Sequence, residues 1–403
     1  MSMPNEQQTL PILIVGAGIS GLALAQYLHK WKIPFRIFDR DVSIVSRTGG
    51  WGLTFHWGLP ALQELLPEQL YARLGECNVN PAATDAGSYQ FLDLKTGDAL
   101  HAATFPKTGR LRVIRSKLRD LLSTDINVEW SKRCIKVSND TESVTARFED
   151  GTTATGWLLV ACEGAGSRIR RYLHPSAFEN IPVPVRLLGI TVSYTPAQVA
   201  AALAIDPYFF QGTHSESNIY LFFSFLNSPH NAGNDTGNYI CQVIVSWAET
   251  KDIAIPESNA ERIALVKRIT ADWAENLRGL IDTVPYDAEA TAINLADWFP
   301  TTRREYDRVV LMGDAAHTMT MFRGEGGNNA VTDANDLAKR IGPLITSNKD
   351  LPWSTLSQAL AEYDQDVFTR GHRCVINARQ ACLDAHEFSS VTEESPLVSR
   401  RSK

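Results

Sequence analysis

A chain of 403 residues, 44% apolar and 21% charged, has enough apolar material for a sizeable core and room for two domains, or one large domain with an inserted module. A net charge of −6, with no basic run before Arg400-Arg401-Ser402-Lys403, argues against nucleic acid or an anionic membrane as the main partner. The six cysteines form no CxxC pair, no run approaches ~18 apolar residues, and the MSMPNEQQTL start lacks the regions of a signal peptide. The expectation is therefore a cytoplasmic protein with reduced thiols, no zinc site and no membrane anchor.

The strand expected at 11–15 runs into Gly16-Ala17-Gly18-Ile19-Ser20-Gly21 and an apolar-striped helix from Leu22 to Trp31. A second strand, Phe35–Phe38, ends at Asp39, so the chain starts as a βαβ unit, which implies a parallel sheet. A helix is expected around Pro60–Gly75, short strands and turns from 76 to 104, and a helix at Arg115–Leu122. Strands near 133–138 and 143–148 read as a hairpin followed by an Asp150-Gly151 turn, and the strand Trp157–Ala161 reaches Glu163-Gly164. Residues 186–249 are rich in strand-forming residues, and a helix is expected near Asn259–Leu277. A strand at Val309–Met312 ends in Gly313-Asp314. The loop Gly324-Glu325-Gly326-Gly327 then leads into a helix with an apolar stripe at Val331, Ala334, Ala338 and Ile341. One or two helices should fill Trp353 to about His386, and the Ser-, Glu- and Arg-rich end should fray.

Two of these segments carry ligand chemistry. Gly16, Gly18 and Gly21 permit a tight turn, close approach to a pyrophosphate and close helix–strand packing, and the helix start adds amide donors. Asp39, at the end of the second strand, is placed to accept hydrogen bonds from a ribose. This first motif leaves the dinucleotide undecided. Asp314, at the C-terminal end of a later strand, is placed to bind ribose or ribityl hydroxyls, and the Gly324–Gly327 loop lets backbone amides approach a flat ring. An acid and a glycine loop at each end imply a long ligand gripped twice, which points to FAD. Arg115 and Arg119, one turn apart, read either as solvated helix charges or as partners for phosphate or flavin oxygens. His317 reads as a structural hydrogen-bonder. No Ser/His/Asp order, HExxH or metal spacing is present.

Taken together, GAGISG (16–21), CEGAGSRIR (162–170), and GDAAH (313–317) with GEGGN (324–328) resemble the three signatures of the class A FAD-dependent monooxygenases. That family includes para-hydroxybenzoate and salicylate hydroxylases and a fungal secondary-metabolite branch, and the resemblance spans roughly 10–345. It implies an α/β fold: a Rossmann-like FAD-binding domain of the glutathione-reductase type, with an inserted β-rich substrate domain and C-terminal helices. The expected division is 1–75, 104–180 and 293–350 for the FAD-binding domain, 76–103 and 181–292 for the substrate domain, and 351–403 for a helical segment with a frayed tail. Carried over by residue, Gly16, Gly18, Gly21 and Asp39 would hold the ADP half and Arg115 would contact the cofactor. Asp314 would bind the ribityl–pyrophosphate region, and Gly326, Gly327 and Asn328 would face the isoalloxazine. Arg47 loosely matches an arginine near the cofactor or the entering nicotinamide. The sequence departs from the family pattern at Glu163, where Asp is usual, and at Thr320 and Met321, where two prolines are usual. The second departure argues for a larger or less phenolic substrate than a simple phenol.

The reaction implied by the resemblance uses NADPH or NADH as a transient co-substrate and O2 to form a flavin C4a-hydroperoxide. That species would hydroxylate or epoxidise an electron-rich, natural-product-like molecule. An oxidase or dehydrogenase of the same fold that inserts no oxygen is the alternative, as is an idle flavin-binding scaffold; a halogenase is disfavoured because no WxWxIP segment is present. Alternation along a strand means that Tyr220, Phe222 and Ser224, or else Leu221, Phe223 and Phe225, line a cavity, together with Gln242 and Ile244. Met319, Met321 and Phe322, on the flavin loop, are the other substrate-pocket candidates. The expected assembly is a monomer or weak homodimer.

Overall fold

The computed structural model describes residues 10–46, 50–84, 87–104, 109–301, 308–347 and 352–399. At its centre lies a five-stranded parallel sheet in the order Val309–Leu311, Leu158–Ala161, Ile12–Val15, Phe35–Phe38, Val128–Glu129. Every residue of Ile12–Val15 and Leu158–Ala161 is buried, as expected of apolar strands covered on both faces. The helices Ile19–Lys30 and Gly326–Ser347 pack against one another beside this sheet. Gln26 fixes the first of them by donating to the carbonyls of Leu122 and Thr124. The expected stripe Val331, Ala334, Ala338 and Ile341 is fully buried. A three-stranded antiparallel sheet of Cys134–Asn139, Val144–Phe148 and Thr153–Gly156 adjoins the core, with the Phe148 ring 4.7 Å from that of Phe38.

The second large layer is a seven-stranded sheet. Its order is Ala290–Asp297, Ile181–Tyr194, Tyr239–Ala248, Tyr220–Asn227, Phe209–Thr213, Ser88–Asp93, Ala99–Thr104, antiparallel except where Phe209–Thr213 meets Ser88–Asp93. Its two faces are chemically distinct. Leu221, Phe223, Phe225, Val243 and Val245 join one core with the helices Asn259–Ile269 and Glu275–Asp282. Tyr220, Phe222, Ser224 and Gln242 belong to the opposite face. The strand Ala290–Asp297 belongs wholly to this sheet, so a boundary at 292/293 falls inside a strand.

Three expectations are corrected. The single helix at 60–75 is two, Leu59–Leu65 and Glu68–Ala72, because Pro67 drives Leu66 out of the helical region to ψ 150°. The helix at 259–277 likewise divides, at Thr270–Ala274. The tail from Phe388 to Ser399 is held down rather than frayed: Leu397 is fully buried, its carbonyl accepts the Tyr89 hydroxyl at 2.9 Å, and the Pro396 carbonyl accepts from Arg323. Its polar residues are used inward, as where Ser395 bonds Asp384. The stretch from Trp353 to Asp384 is one long helix. All six cysteines are buried and unbridged. Among the described residues no helix is long and apolar enough to cross a membrane.

Candidate active site

A cleft of about 620 Å³ runs between the two sheets. One end is built at the tips of the parallel strands. Gly16 sits at φ +112°, and a Cβ there would lie 2.2 Å from the Cys162 carbonyl oxygen, so only glycine lets the turn pass this neighbouring strand. Nothing lies within 4 Å of the Cβ that Gly18 lacks, so its backbone faces open space at the start of Ile19–Lys30. Gly21 does not line the cleft. Its missing Cβ would meet the Gly16 carbonyl at 2.1 Å, which makes it the residue of close helix–strand packing.

Asp39 borders the same end, with both oxygens engaged: Oδ2 accepts the Ala17 amide at 2.7 Å and Oδ1 the Asp41 amide at 2.9 Å. The carboxylate therefore holds the glycine turn in shape through Ala17. Arg119 is a structural residue: it donates to the carbonyls of Ala17 and Ile44 and pairs with Asp41 at 3.2 Å. Arg115 lines the cleft. Arg47 lies outside the described residues.

Glu163 uses its extra methylene to reach the start of the helix Arg168–Leu173, where Oε2 accepts the Ser167 hydroxyl and the Ile169 amide. Burial raises its carboxyl above the ordinary value, and these hydrogen bonds oppose that shift. Burial also pushes the thiols of Cys134 and Cys162, both in the cleft wall, up to about 12, so neither is a ready nucleophile.

Asp314 is exposed into the cleft on a short 3₁₀ turn, Gly313–Ala315. The support beneath it is Arg170, a residue of the CEGAGSRIR segment that sequence reasoning did not single out. Its guanidinium donates to the carbonyls of Ala315 and Asp314, both at 2.8 Å, and to Thr318 Oγ1. His317 is buried behind the turn and bonds Asp333 at 2.6 Å, a structural role.

Gly326 and Gly327 line the cleft, and the helix begins at Gly326 itself, so the second half of the expected loop is its first turn. Asn328 does not face the cleft. It is fully buried, accepts the amides of His56 and Gly58, and donates to the carbonyls of Thr54 and Gly324. It ties the glycine loop to the Leu53–Phe55 strand. Thr320, where proline is usual, pins the same loop to the long C-terminal helix by donating to the Ala378 carbonyl at 2.7 Å.

At this end Met319, Met321, Phe322, Phe222 and Gln242 line the cleft, whereas Ser224 lies on the same sheet face, fully buried and outside the lining. Of the two alternating sets it is therefore the Tyr220/Phe222 face that meets the cleft. The Tyr220 hydroxyl bonds Gln211 Oε1, and Gln211 Nε2 donates to Tyr89 at 2.7 Å, a polar rail that sequence reasoning missed. Its members come from three strands, and no local motif joins them.

A flat, elongated dinucleotide fits this geometry, because one cleft touches Gly16 and Gly18 at one end and Asp314, Gly326 and Gly327 at the other. The family described as "FAD binding domain" matches residues 9–351. The chain belongs to the FAD-dependent monooxygenase family. It is 42% identical over 352 residues to the FAD-dependent monooxygenase dbaB of Emericella nidulans, covering 84% of this chain and 88% of that one. It is 34% identical over 367 residues to the FAD-dependent monooxygenase tazP of Aspergillus terreus, covering 84% and 91%. Its fold is that of Klebsiella pneumoniae HpxO, crystallised with FAD and uric acid, at a TM-score of 0.73 and 20% identity over 94% of this chain and 90% of that one. The 2,6-dihydroxypyridine-3-hydroxylase of Arthrobacter nicotinovorans shares it at a TM-score of 0.73 and 18% identity over 98% and 99%.

Proposed function

We propose that this family member uses NADPH or NADH and O2 to place one oxygen atom on an electron-rich, natural-product-like organic molecule, with the second oxygen leaving as water. FAD, when bound, carries the electrons from the nicotinamide to O2. The observation that carries the reading is the single cleft that continues from the glycine motif, past Asp314, to a wall of aromatic and amide side chains.

In this reading Gly16, Gly18 and the amides starting Ile19–Lys30 cradle the diphosphate, and Asp39 serves the adjoining ribose. Arg115 and Asp314 hold the middle of the cofactor. The backbone at Gly326 and Gly327 borders the flavin ring, and the amide end of the helix favours negative charge there. Gly21 and Asn328 act one step back, by packing and by fixing the loop. Arg47 is kept as a nicotinamide-side candidate on its sequence position alone. Met319, Met321, Phe322, Phe222 and Gln242 contact substrate, and Ser224 backs that wall. Their apolar surface excludes water from the reacting atoms.

The FAD domain is drawn from the segments carrying the parallel sheet and the substrate domain from those carrying the seven-stranded sheet, which moves the sequence boundary at 293 to the end of Ala290–Asp297. A cytoplasmic monomer or weak homodimer completes the proposal.

Purified protein should carry or take up FAD, and a ligand screen should find compounds that accelerate NADPH oxidation and gain one oxygen by mass. A protein that acquires no flavin spectrum refutes the reading, and products lacking added oxygen point to an oxidase. Asp314→Ala should lower FAD affinity at least about tenfold by removing a charge-assisted hydrogen bond. Unchanged flavin titration would remove Asp314 from the site.

A further inference from the structure

A strand of only three residues, Leu111–Val113, brings Arg112 from its pairing with Leu53–Phe55 to the wall of the cleft. Arg112 is 3% exposed. Nε donates to the Phe225 carbonyl at 3.4 Å and Nη1 to Thr54 Oγ1 at 2.9 Å, and Nη2 has no partner. The guanidinium lies over the rings of Phe209 and Phe222, 5.2 and 5.8 Å from their centroids. Gly52 makes room for it, since a Cβ there would lie 2.5 Å from Nη2.

A second cation stands near it. Arg110, also buried in the cleft wall, pairs with Asp206 at 3.7 Å. Asp206 is already engaged by the amides of Ser88, Tyr208 and Phe209 and by the Ser88 hydroxyl. Among the described residues no carboxylate forms an ion pair with Arg112, and Asp206 lies against Arg110 instead. Burial holds the Arg112 guanidinium down to about 9, with the Arg110 charge acting in the same direction and Asp206 against it. A buried charge without a counterion is disfavoured, and two hydrogen bonds and two ring faces offset that only in part.

Two further polar atoms on this sheet face are buried without partners, Ser224 Oγ and Gln242 Oε1. The two residues are opposite one another across neighbouring strands, and Ser224 also pairs in register with Phe209, one of the rings beneath Arg112. Cation, hydroxyl and amide thus share one patch, and the stacked rings of Phe209 and Phe222, 5.6 Å apart, form its apolar bed.

We propose that Arg112 binds an ionised oxygen of the substrate, a phenolate or enolate on a flat conjugated skeleton, and so selects the anion over its neutral form. The skeleton lies against Phe209 and Phe222, and Gln242 serves a further polar group of the same molecule. The charge of the ligand supplies Arg112 with a counterion, and its delocalised electrons make the ring or double bond richer toward an electrophilic oxygen. This inference rests on the cleft being the substrate site proposed above.

The test uses two anions, 2,4-dinitrophenolate and the enolate of dimedone, each beside its neutral methyl ether, at neutral pH. Binding to the FAD-loaded protein is read by calorimetry, which does not depend on the flavin signal. The wild type should prefer each bound anion to its ether. Arg112→Met should weaken anion binding by about tenfold to a hundredfold, leave the ethers unchanged and retain full flavin content. Binding of one anion alone assigns the substrate oxygen to that class. Arg112→Lys, which keeps the charge, guards against a Met variant that fails to fold and should bind the anions with intermediate affinity. Equal wild-type affinity for anions and ethers overturns the proposal, as does anion binding unchanged in Arg112→Met. Loss of flavin from Arg112→Met, with the fold intact, would reassign the guanidinium to the cofactor. A wild type that takes up no flavin is a separate result and refutes the function reading instead.

Discussion

At the scale of single residues, the side chains that look most like cofactor ligands are also parts of the scaffold, and others hold the ligands in place without touching them. Asp39 accepts the Ala17 amide of the glycine turn at one oxygen and the Asp41 amide at the other. Arg170 supports Asp314 through backbone carbonyls rather than through its carboxylate. Its planar fork meets two carbonyls and the Thr318 hydroxyl at once, and Nη1 also bonds Asn180 at 2.6 Å. A lysine carries a similar charge at a single point and cannot reproduce this span. Arg170→Lys should therefore lower the melting temperature and weaken FAD binding, leaving buried carbonyls unsatisfied at about 1–3 kcal/mol each. Flavin titration alongside thermal melts checks this. An unchanged flavin affinity would make Arg170 a stability residue only.

At the scale of elements, one buried ion cluster clamps three pieces of chain. Asp333, on the helix Gly326–Ser347, accepts from the Gly313 amide and from His317, and it pairs with Arg370 of the long C-terminal helix. Burial alone would lower the His317 pKa, but the Asp333 charge and hydrogen bond outweigh it and leave the imidazole above its ordinary 6.5. For Asp333 burial acts upward, and His317, Arg370 and the Gly313 amide together hold it below its ordinary 3.8. A raised histidine contributes fully below its unfolded value and loses that contribution as pH rises through the folded one; a depressed carboxylate loses its contribution as pH falls through its folded value. The clamp is therefore strongest between 3.8 and 6.5. Denaturant melts should show the wild type losing stability above 6.5, with this part of the slope absent in His317→Gln. Equal slopes would mean that the imidazole stays in one protonation state. The cluster also marks where sequence reading stops. Gly16, Gly18, Asp314 and the Val331–Ile341 stripe were legible because strand, turn and helix encode them within a few residues. Arg170 and Arg112 were not, because their partners lie 144 and 113 residues away. Arg112 stands between Leu111 and Val113, an alternation that ordinarily reads as a solvent-facing charge.

At the scale of the whole molecule, the C-terminal tail closes the structure that the two sheets begin. Leu397 packs in one core with Tyr89, Phe91 and Tyr220 of the seven-stranded sheet and Phe322 of the loop before Gly326. The polar rail from Tyr220 through Gln211 to Tyr89 ends on the Leu397 carbonyl, 308 residues along the chain from Tyr89. Arg323, paired with Glu325 at 2.9 Å, reaches the Pro396 carbonyl from the loop before Gly326. The composition of this tail predicts fraying because it does not record where Leu397 and Ser395 point or that two of its backbone carbonyls accept hydrogen bonds. In the proposed site the tail backs the wall that would contact substrate, and in this reaction class water at the reacting atoms diverts reducing power into hydrogen peroxide. Ending the chain after Glu387 removes an apolar plug and leaves the Tyr89 hydroxyl and the Arg323 guanidinium without these partners, while the parallel sheet and glycine turns are untouched. The shortened protein should therefore keep its FAD and still oxidise NADPH, but release a larger share of the electrons as hydrogen peroxide and less oxygenated product. Comparing NADPH consumed, peroxide released and product formed, with full-length and shortened chains side by side, decides it. Unchanged coupling would confine the tail to stability, and loss of FAD would extend its influence to the parallel-sheet end of the cleft.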